Sequence, residues 1–476
     1  MTSVTAVDAG ARRRTLATRN GRSLALVVSA AGLITSISLG ARATFGLYLD
    51  PVIADLGTGR SMFSLAVAIQ NIVWGLSQPI AGAVADRYGA ARVLSVGGVG
   101  YAAALVLMAN AQSATVFTLS AGFLLGMATG AASFSVVLAA VGRMAPPKHA
   151  SMALGIVTAM GSVGQFVLIP LTRELIDGNG WRNTALLLAV FVASIVLFSG
   201  PLRGKAVEQQ GPAEVEPTAA RRAVPLAQEL RRASRHRPYL LLNVAFFVCG
   251  FHVTFIATHL VSYAGDVGVG RGPASTGLAL IGLFNIFGSL IAGYLGSRRP
   301  KTYLLSAIYA LRGIVITAFV LIPVSGTTVV VFGAAIGLLW LSTVPLTGGI
   351  VAAQFGTAHS GTLFGLVFLS HQVGAFIGVW VAGLLADGTG SYAVVWWISV
   401  ALAALAAVLH LFIDEQPAPP APAQSPAAGA GGLAPAGAAV VILVVGAAAA
   451  LTARPTEAGT NEARSIICVL HPAGSS

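Results

Sequence analysis

Five ionisable side chains stand where charge is expensive. Arg42, His252, His259, Arg312 and His371 each fall inside a run of about twenty apolar residues. A central arginine in such a run costs about 2.5–3.5 kcal/mol on insertion scales. No acidic residue shares that depth, because Asp50, Asp86, Glu174, Asp177, Asp266 and Asp387 lie at run ends or in loops. A guanidinium offers a planar fork that matches a carboxylate, so a bound organic anion can supply the missing partner. Arg42 precedes Asp50 by eight residues, about 12 Å from that end at 1.5 Å per residue. His252 and His259 are seven apart and share one helix face. Imidazoles there, with His371, can hydrogen-bond a carboxylate or carry a coupling proton, since their charge changes near neutral pH. Asn71, Gln70, Gln165 and Asn285 add neutral donors and acceptors. Each residue also has a plainer reading: arginine on backbone carbonyls or a loop acid, histidine as satisfied packing, amides as interhelical glue.

The elements that hold these groups follow from composition. The chain has 476 residues, 56% hydrophobic and 9% charged, with mean hydropathy +0.82. Soluble chains carry about a quarter charged residues, so lipid must be part of the solvent. Apolar runs fall near 24–50, 61–84, 93–112, 116–141, 152–172 and 183–202, and again near 239–263, 274–296, 302–323, 326–350, 361–385 and 392–413. The expected organisation is an amino-terminal segment 1–23, a six-helix half 24–203, a polar loop 204–237, a second half 238–414 and a low-complexity tail 415–476. A short amphipathic helix is expected near 224–233. The stretch 433–453 is long enough for a thirteenth span but Ala-dominated. Glycines at 122, 126 and 130, and at 374 and 378, mark close packing faces. The basic residues that make up the net charge of +12 lie between runs, which argues against a nucleic-acid partner. Twenty fall on the side of the amino terminus, against Arg60, Arg173, Arg182 and Arg271 on the other, so that terminus is expected in the cytoplasm. Its basic stretch precedes an uncleaved first helix. No phosphate loop, zinc-ligand helix, nucleophile elbow or cysteine pair is present, so neither an enzyme nor a cofactor or metal is expected.

The loop Gly82-Ala-Val-Ala-Asp86-Arg87-Tyr-Gly89-Ala-Ala-Arg92 returns in weaker form as Gly293-Tyr-Leu-Gly296-Ser297-Arg298-Arg299-Pro-Lys301. Gly82 is read as a close-packing position, and the charges as a latch between helices or simply a topogenic turn. The loop resembles the signature between helices two and three of the major facilitator superfamily, with Ser297 replacing the acid in the second copy. The segments Gly40–Gly46, Gln70–Pro79, Gly250–Leu260, Phe284–Gly288 and Ser370–Gln372 resemble the bacterial monocarboxylate-transporter-like group, near the oxalate/formate antiporters. The resemblance covers about 24–413. It implies an all-α membrane protein of twelve transmembrane helices in two pseudo-symmetric halves. It also implies a multi-pass protein of the bacterial cytoplasmic membrane, monomeric, moving a small organic anion such as a monocarboxylate by alternating access, by default with a proton. Spans one, seven and eleven then line the cavity, which makes Arg42, His252, Asn285, His371, Gln165 and Asn71 substrate candidates. His252 and His259 become proton candidates, and Gly82, Asp86, Arg87, Gly89, Arg92, Arg298 and Arg299 the gating loops. Span nine is peripheral, which points Arg312 towards packing. Asn285 and Ser289 stand where some relatives carry a charge, and span five lacks the Gly-Pro signature of drug/proton antiporters. A drug or metabolite exporter on the same fold, and a transporter-like sensor signalling through its loop or tail, stay open as rivals.

Overall fold

A computed structural model describes residues 23–203, 226–356 and 359–418; these are helical, with no strand among them. Ten segments are long and apolar enough to cross a membrane. One of them, Met152–Leu202, spans 51 residues and is two rods, because Gly180 turns the chain at φ 75° and ψ 163°. That left-handed φ favours glycine, which has no Cβ to clash. Another helix, Arg60–Tyr88, has 29 residues but is not among the ten, since Gln70, Asn71 and Gln78 lower its hydropathy. The rods are α1 Leu24–Leu47, α2 Arg60–Tyr88, α3 Ala90–Ala109, α4 Ala114–Met144, α5 147–179 and α6 181–202. Then come α7 Arg237–Asp266, α8 Arg271–Gly296, α9 Lys301–Leu321, α10 Gly326–Phe355, α11 Ser360–Thr389 and α12 Ala393–Leu411. A short helix, Leu226–Ala233, precedes α7 where the loop was expected to form one. The stretch 433–453 lies outside the described residues.

The packing repeats. In the first half α1 packs on α5, α2 on α4 and α3 on α6; in the second α7 packs on α11, α8 on α10 and α9 on α12. The halves meet along α2–α11 and α5–α8. With little hydrophobic drive between helices in lipid, small residues set these approaches. A Cβ at Gly250 would collide with the His371 carbonyl, and one at Gly374 with the Phe247 carbonyl, so α7 and α11 touch backbone to backbone. The ladder Gly122, Gly126 and Gly130 faces Ala66, Gln70 and Ser77 of α2 in the same way.

Two rods are broken. Helix α4 leaves helical form at Ala132 and Ser133, and α10 does so over residues 339–342. Each break frees carbonyls that a continuous helix would have bonded, and each is met by a side chain from a neighbour. Ser38 Oγ donates to the Ala132 carbonyl at 3.0 Å. Arg312 Nη2 donates to the carbonyls of Leu339 and Trp340 at 2.5 and 2.9 Å.

Candidate functional site

A cavity of about 60 Å³ lies where α1, α2, α5, α7, α8 and α10 converge. Its polar wall is Arg42, Gln70, Gln165, Thr254 and Thr258; its apolar wall includes Phe45, Val67, Ile281 and Trp340. Arg42 is held but not neutralised. Its Nη2 donates to Asn71 Oδ1 at 2.5 Å, and its guanidinium carbon sits 4.3 Å from the Trp74 ring centroid. Asn71 is itself fixed by donating to the Val67 carbonyl at 2.8 Å, and its own carbonyl accepts from Gln372 Nε2 of α11 at 2.8 Å. Arg42 Nε is buried with no protein partner, and so is Gln70 Nε2. Among the described residues Arg42 makes no ion pair. The arrangement is a permanent cation beside a cavity, stacked on an indole and aimed by an amide, and a guanidinium so placed can bond an anion.

The other candidates are placed elsewhere. His252 does not line the cavity; it is fully buried with Nε2 2.9 Å from the Ser399 carbonyl of α12. The sequence puts it one residue from the cavity-lining Val253, and at 100° per residue that small offset turns the ring away. His259 is enclosed by Tyr392 Oη at 2.9 Å, the Val379 carbonyl at 3.1 Å and Ser64 Oγ at 3.2 Å. His371 lies against Gln372 Oε1 at 3.0 Å and stacks on Phe368, with ring centroids 5.4 Å apart. Asn285 bonds Ser162 Oγ of α5 at 3.0 Å and the Leu341 amide at 3.0 Å, behind the cavity wall rather than on it. Gln165 and Asn71 stay with Arg42. Thr254 and Thr258, one turn apart on α7, and Trp340 were not singled out from the sequence. The i, i+4 threonine spacing was the signal for the first two; Trp340 had none, since it sits in a break.

In this conformation the ion pairs of the gating loops lie within their own halves. Asp86 pairs with Arg143 at 2.6 Å, within the same half. Arg87 covers the Tyr88 ring, Arg92 Nη1 reaches the Tyr88 carbonyl at 3.4 Å, and Gly89 turns the chain at φ 94°. A Cβ on Gly82 would meet nothing within 4 Å, so its close-packing reading is corrected: that stretch of α2 has no neighbour there. Arg298 lies over Tyr294, Arg299 is exposed, and the ion pair of that region, Lys301–Glu415 at 3.3 Å, also stays in one half. A set of charged contacts between halves sits at the opposite end. Arg60 pairs with Asp266 at 2.6 Å, and Asp387 of α11 accepts from the Arg60 and Ser61 amides of α2 at 2.9 and 2.8 Å. Ser262 donates to Asp50 at 2.7 Å, and Arg271 reaches Asp177 at 3.3 Å. The halves are therefore closed at the Asp387 end.

Two six-helix halves around a central cavity, locked at one end, is an architecture that the comparisons place. The family model of the Major Facilitator Superfamily matches residues 31–343. The chain belongs to the Major Facilitator Superfamily. Relatives from this superfamily include the uncharacterized MFS-type transporter YcxA of Bacillus subtilis, 26% identical over 385 residues and covering 79% of this chain and 92% of that one. Monocarboxylate transporter 13 of Rattus norvegicus is 26% identical over 371 residues, covering 77% and 83%. The inward-open xylose transporter XylE of E. coli shares the fold at a TM-score of 0.64 and 12% identity, over 82% of this chain and 96% of its own. A bacterial homologue of the lysosomal transporter Spinster, inward-facing and unoccupied, aligns at 0.65 and 16% identity, over 85% and 99%. Like its superfamily relatives, the chain is a multi-pass membrane transporter and not an enzyme.

Proposed function

We propose that this superfamily member moves a small organic anion, a monocarboxylate, across the cytoplasmic membrane by alternating access, with Arg42 as the anchor. The observation that carries the reading is the Arg42 guanidinium: it lines the cavity, has a buried unpartnered Nε, and pairs with no acid among the described residues. Gln70 and Gln165 offer donors beside it, and the apolar wall suits a short alkyl tail. The resemblance to monocarboxylate transporters points the same way. With the amino terminus inside, the closed Asp387 end faces outward. A cationic-drug exporter is disfavoured by a cavity of about 60 Å³ that already holds a cation. Proton coupling finds no acid on the cavity wall, and His252 and His259 are engaged away from it.

The test is uptake by proteoliposomes of labelled lactate, pyruvate, oxalate, acetate, a neutral sugar and a cationic dye, with and without an inward proton gradient. Carboxylate uptake that Arg42→Ala abolishes supports the anchor, and gradient dependence decides the coupling. Dye movement without carboxylate uptake rejects the anion reading.

A further inference from the structure

The second intramembrane arginine has no role in the transport reading, yet its surroundings are unusual. Arg312 is fully buried on α9, and among the described residues no acid reaches it. Its bonds run to two successive carbonyls, Leu339 and Trp340, at the end of the helical segment Gly326–Leu338 of α10. Its Nε and Nη1 have no protein partner. A helix C-terminus carries partial negative charge and orphan carbonyls, and backbone left bare at membrane depth costs several kcal/mol per group. In carriers with discontinuous helices, such unwound carbonyls coordinate a bound cation. Here a tethered guanidinium occupies that place.

The consequence reaches the cavity through one residue. Trp340, whose carbonyl Arg312 grips, also lines the cavity and is 4% exposed. The other flank of the break is pinned by Asn285, whose Oδ1 accepts from the Leu341 amide at 3.0 Å, while its Nδ2 donates to Ser162 of the opposite half at 3.0 Å. Residue 340 is thus clamped between a charge on α9 and an amide on α8. We propose that Arg312 is a positioning residue for the transport site: by gripping the Leu339 and Trp340 carbonyls it holds the break in α10 open and sets the Trp340 indole as a wall of the substrate cavity. The effect on transport rests on the anion reading; the effect on Trp340 does not.

Two measurements separate these. Protein labelled with 5-fluorotryptophan gives fluorine resonances for its six tryptophans, and Trp340→Phe assigns the one that matters. Arg312→Lys keeps the charge but loses the planar guanidinium and reach that set Nη2 against both carbonyls, so the Trp340 resonance shifts or broadens while that of Trp181, bonded to Asp55 at 3.2 Å, stays put. An unmoved Trp340 signal overturns the proposal, and so does movement of all six, which would mark a general loss of packing. In proteoliposomes, Arg312→Lys raises KM for labelled lactate about tenfold with Vmax within about twofold, the pattern of altered binding rather than lost protein. Trp340→Phe, which leaves the arginine in place, raises KM alike, and the double variant is no worse than the stronger single one because both act through the same wall. Additive effects overturn the coupling between the two residues. If wild type takes up no carboxylate at all, the anion reading fails, and the fluorine result alone decides the role of Arg312.

Discussion

Each half of the molecule holds one arginine inside an apolar run, and the two are placed in opposite ways. Arg42 spends one donor on Asn71 and presents its charge at the cavity; Arg312 delivers its charge to backbone carbonyls freed by the break in α10. The matching break in α4 needs no charge, because a neutral serine, Ser38, meets the Ala132 carbonyl. Residue type is the same for the two arginines, and the difference lies in what the neighbouring backbone leaves unpaired. On the proposed reading, a cation whose partner is the protein positions backbone, and a cation whose partner is missing is left for a substrate.

Four substitutions break or sharpen that comparison. Arg42→Ala has the largest expected effect. Removing a charge-assisted hydrogen bond worth about 1.5–3 kcal/mol lowers carboxylate affinity about 10- to 100-fold, read as lactate binding by calorimetry on purified protein. An affinity within twofold of wild type would remove Arg42 from the site. Next comes Asp387→Ala, which takes the acceptor from the first turn of α2 and costs about 1 kcal/mol, as caps do. The closed end then opens more often, and a cysteine placed at Thr258 is labelled about fivefold faster by a membrane-impermeant thiol reagent added from that side. Unchanged labelling would mean that the Asp387 contact does not hold the halves shut. Asn71→Ala keeps the charge and frees its aim, so affinity falls only a few-fold, by the about 1 kcal/mol of one hydrogen bond. The smallest effect is expected of His252→Gln, which keeps a donor towards Ser399 and leaves lactate KM within about twofold. A large rise there would return His252 to the cavity.

Much of this was legible before any coordinates. The twelve rods follow from apolar runs, and even the weakest of them, α2, was visible because its polar residues sit between strongly apolar ones. The pair of arginines without an acid at their depth was also readable, since a charge cost in lipid is a property of sequence position. Rotation about the helix axis was not. His252 and the cavity-lining Val253 and Thr254 differ by one and two residues, yet only neighbours on α12 and α9 decide which face turns inward. The break in α10 was hidden because Leu339, Trp340 and Leu341 continue the apolar run without glycine or proline. The lock at the Asp387 end joins residues 206 and 327 positions apart, which no local pattern announces. In the sequence its acids and arginines read only as helix-end charges, while the motif loop points to the other end.

The placement of that lock carries a consequence for how the protein meets its two compartments. Arg60 and Asp266 are 20% and 33% exposed, so their attraction passes partly through electrolyte. The screening length is about 8 Å at physiological ionic strength and about 3 Å at 1 M, and exposed pairs contribute about 0–1 kcal/mol each. Arg60–Asp266 and the Asp387 contacts all lie at that one end, so dissolved salt reaches them from the compartment on that side. A salt jump on that side should loosen the closed end there, making the ionic strength of one bath a directional control on the carrier.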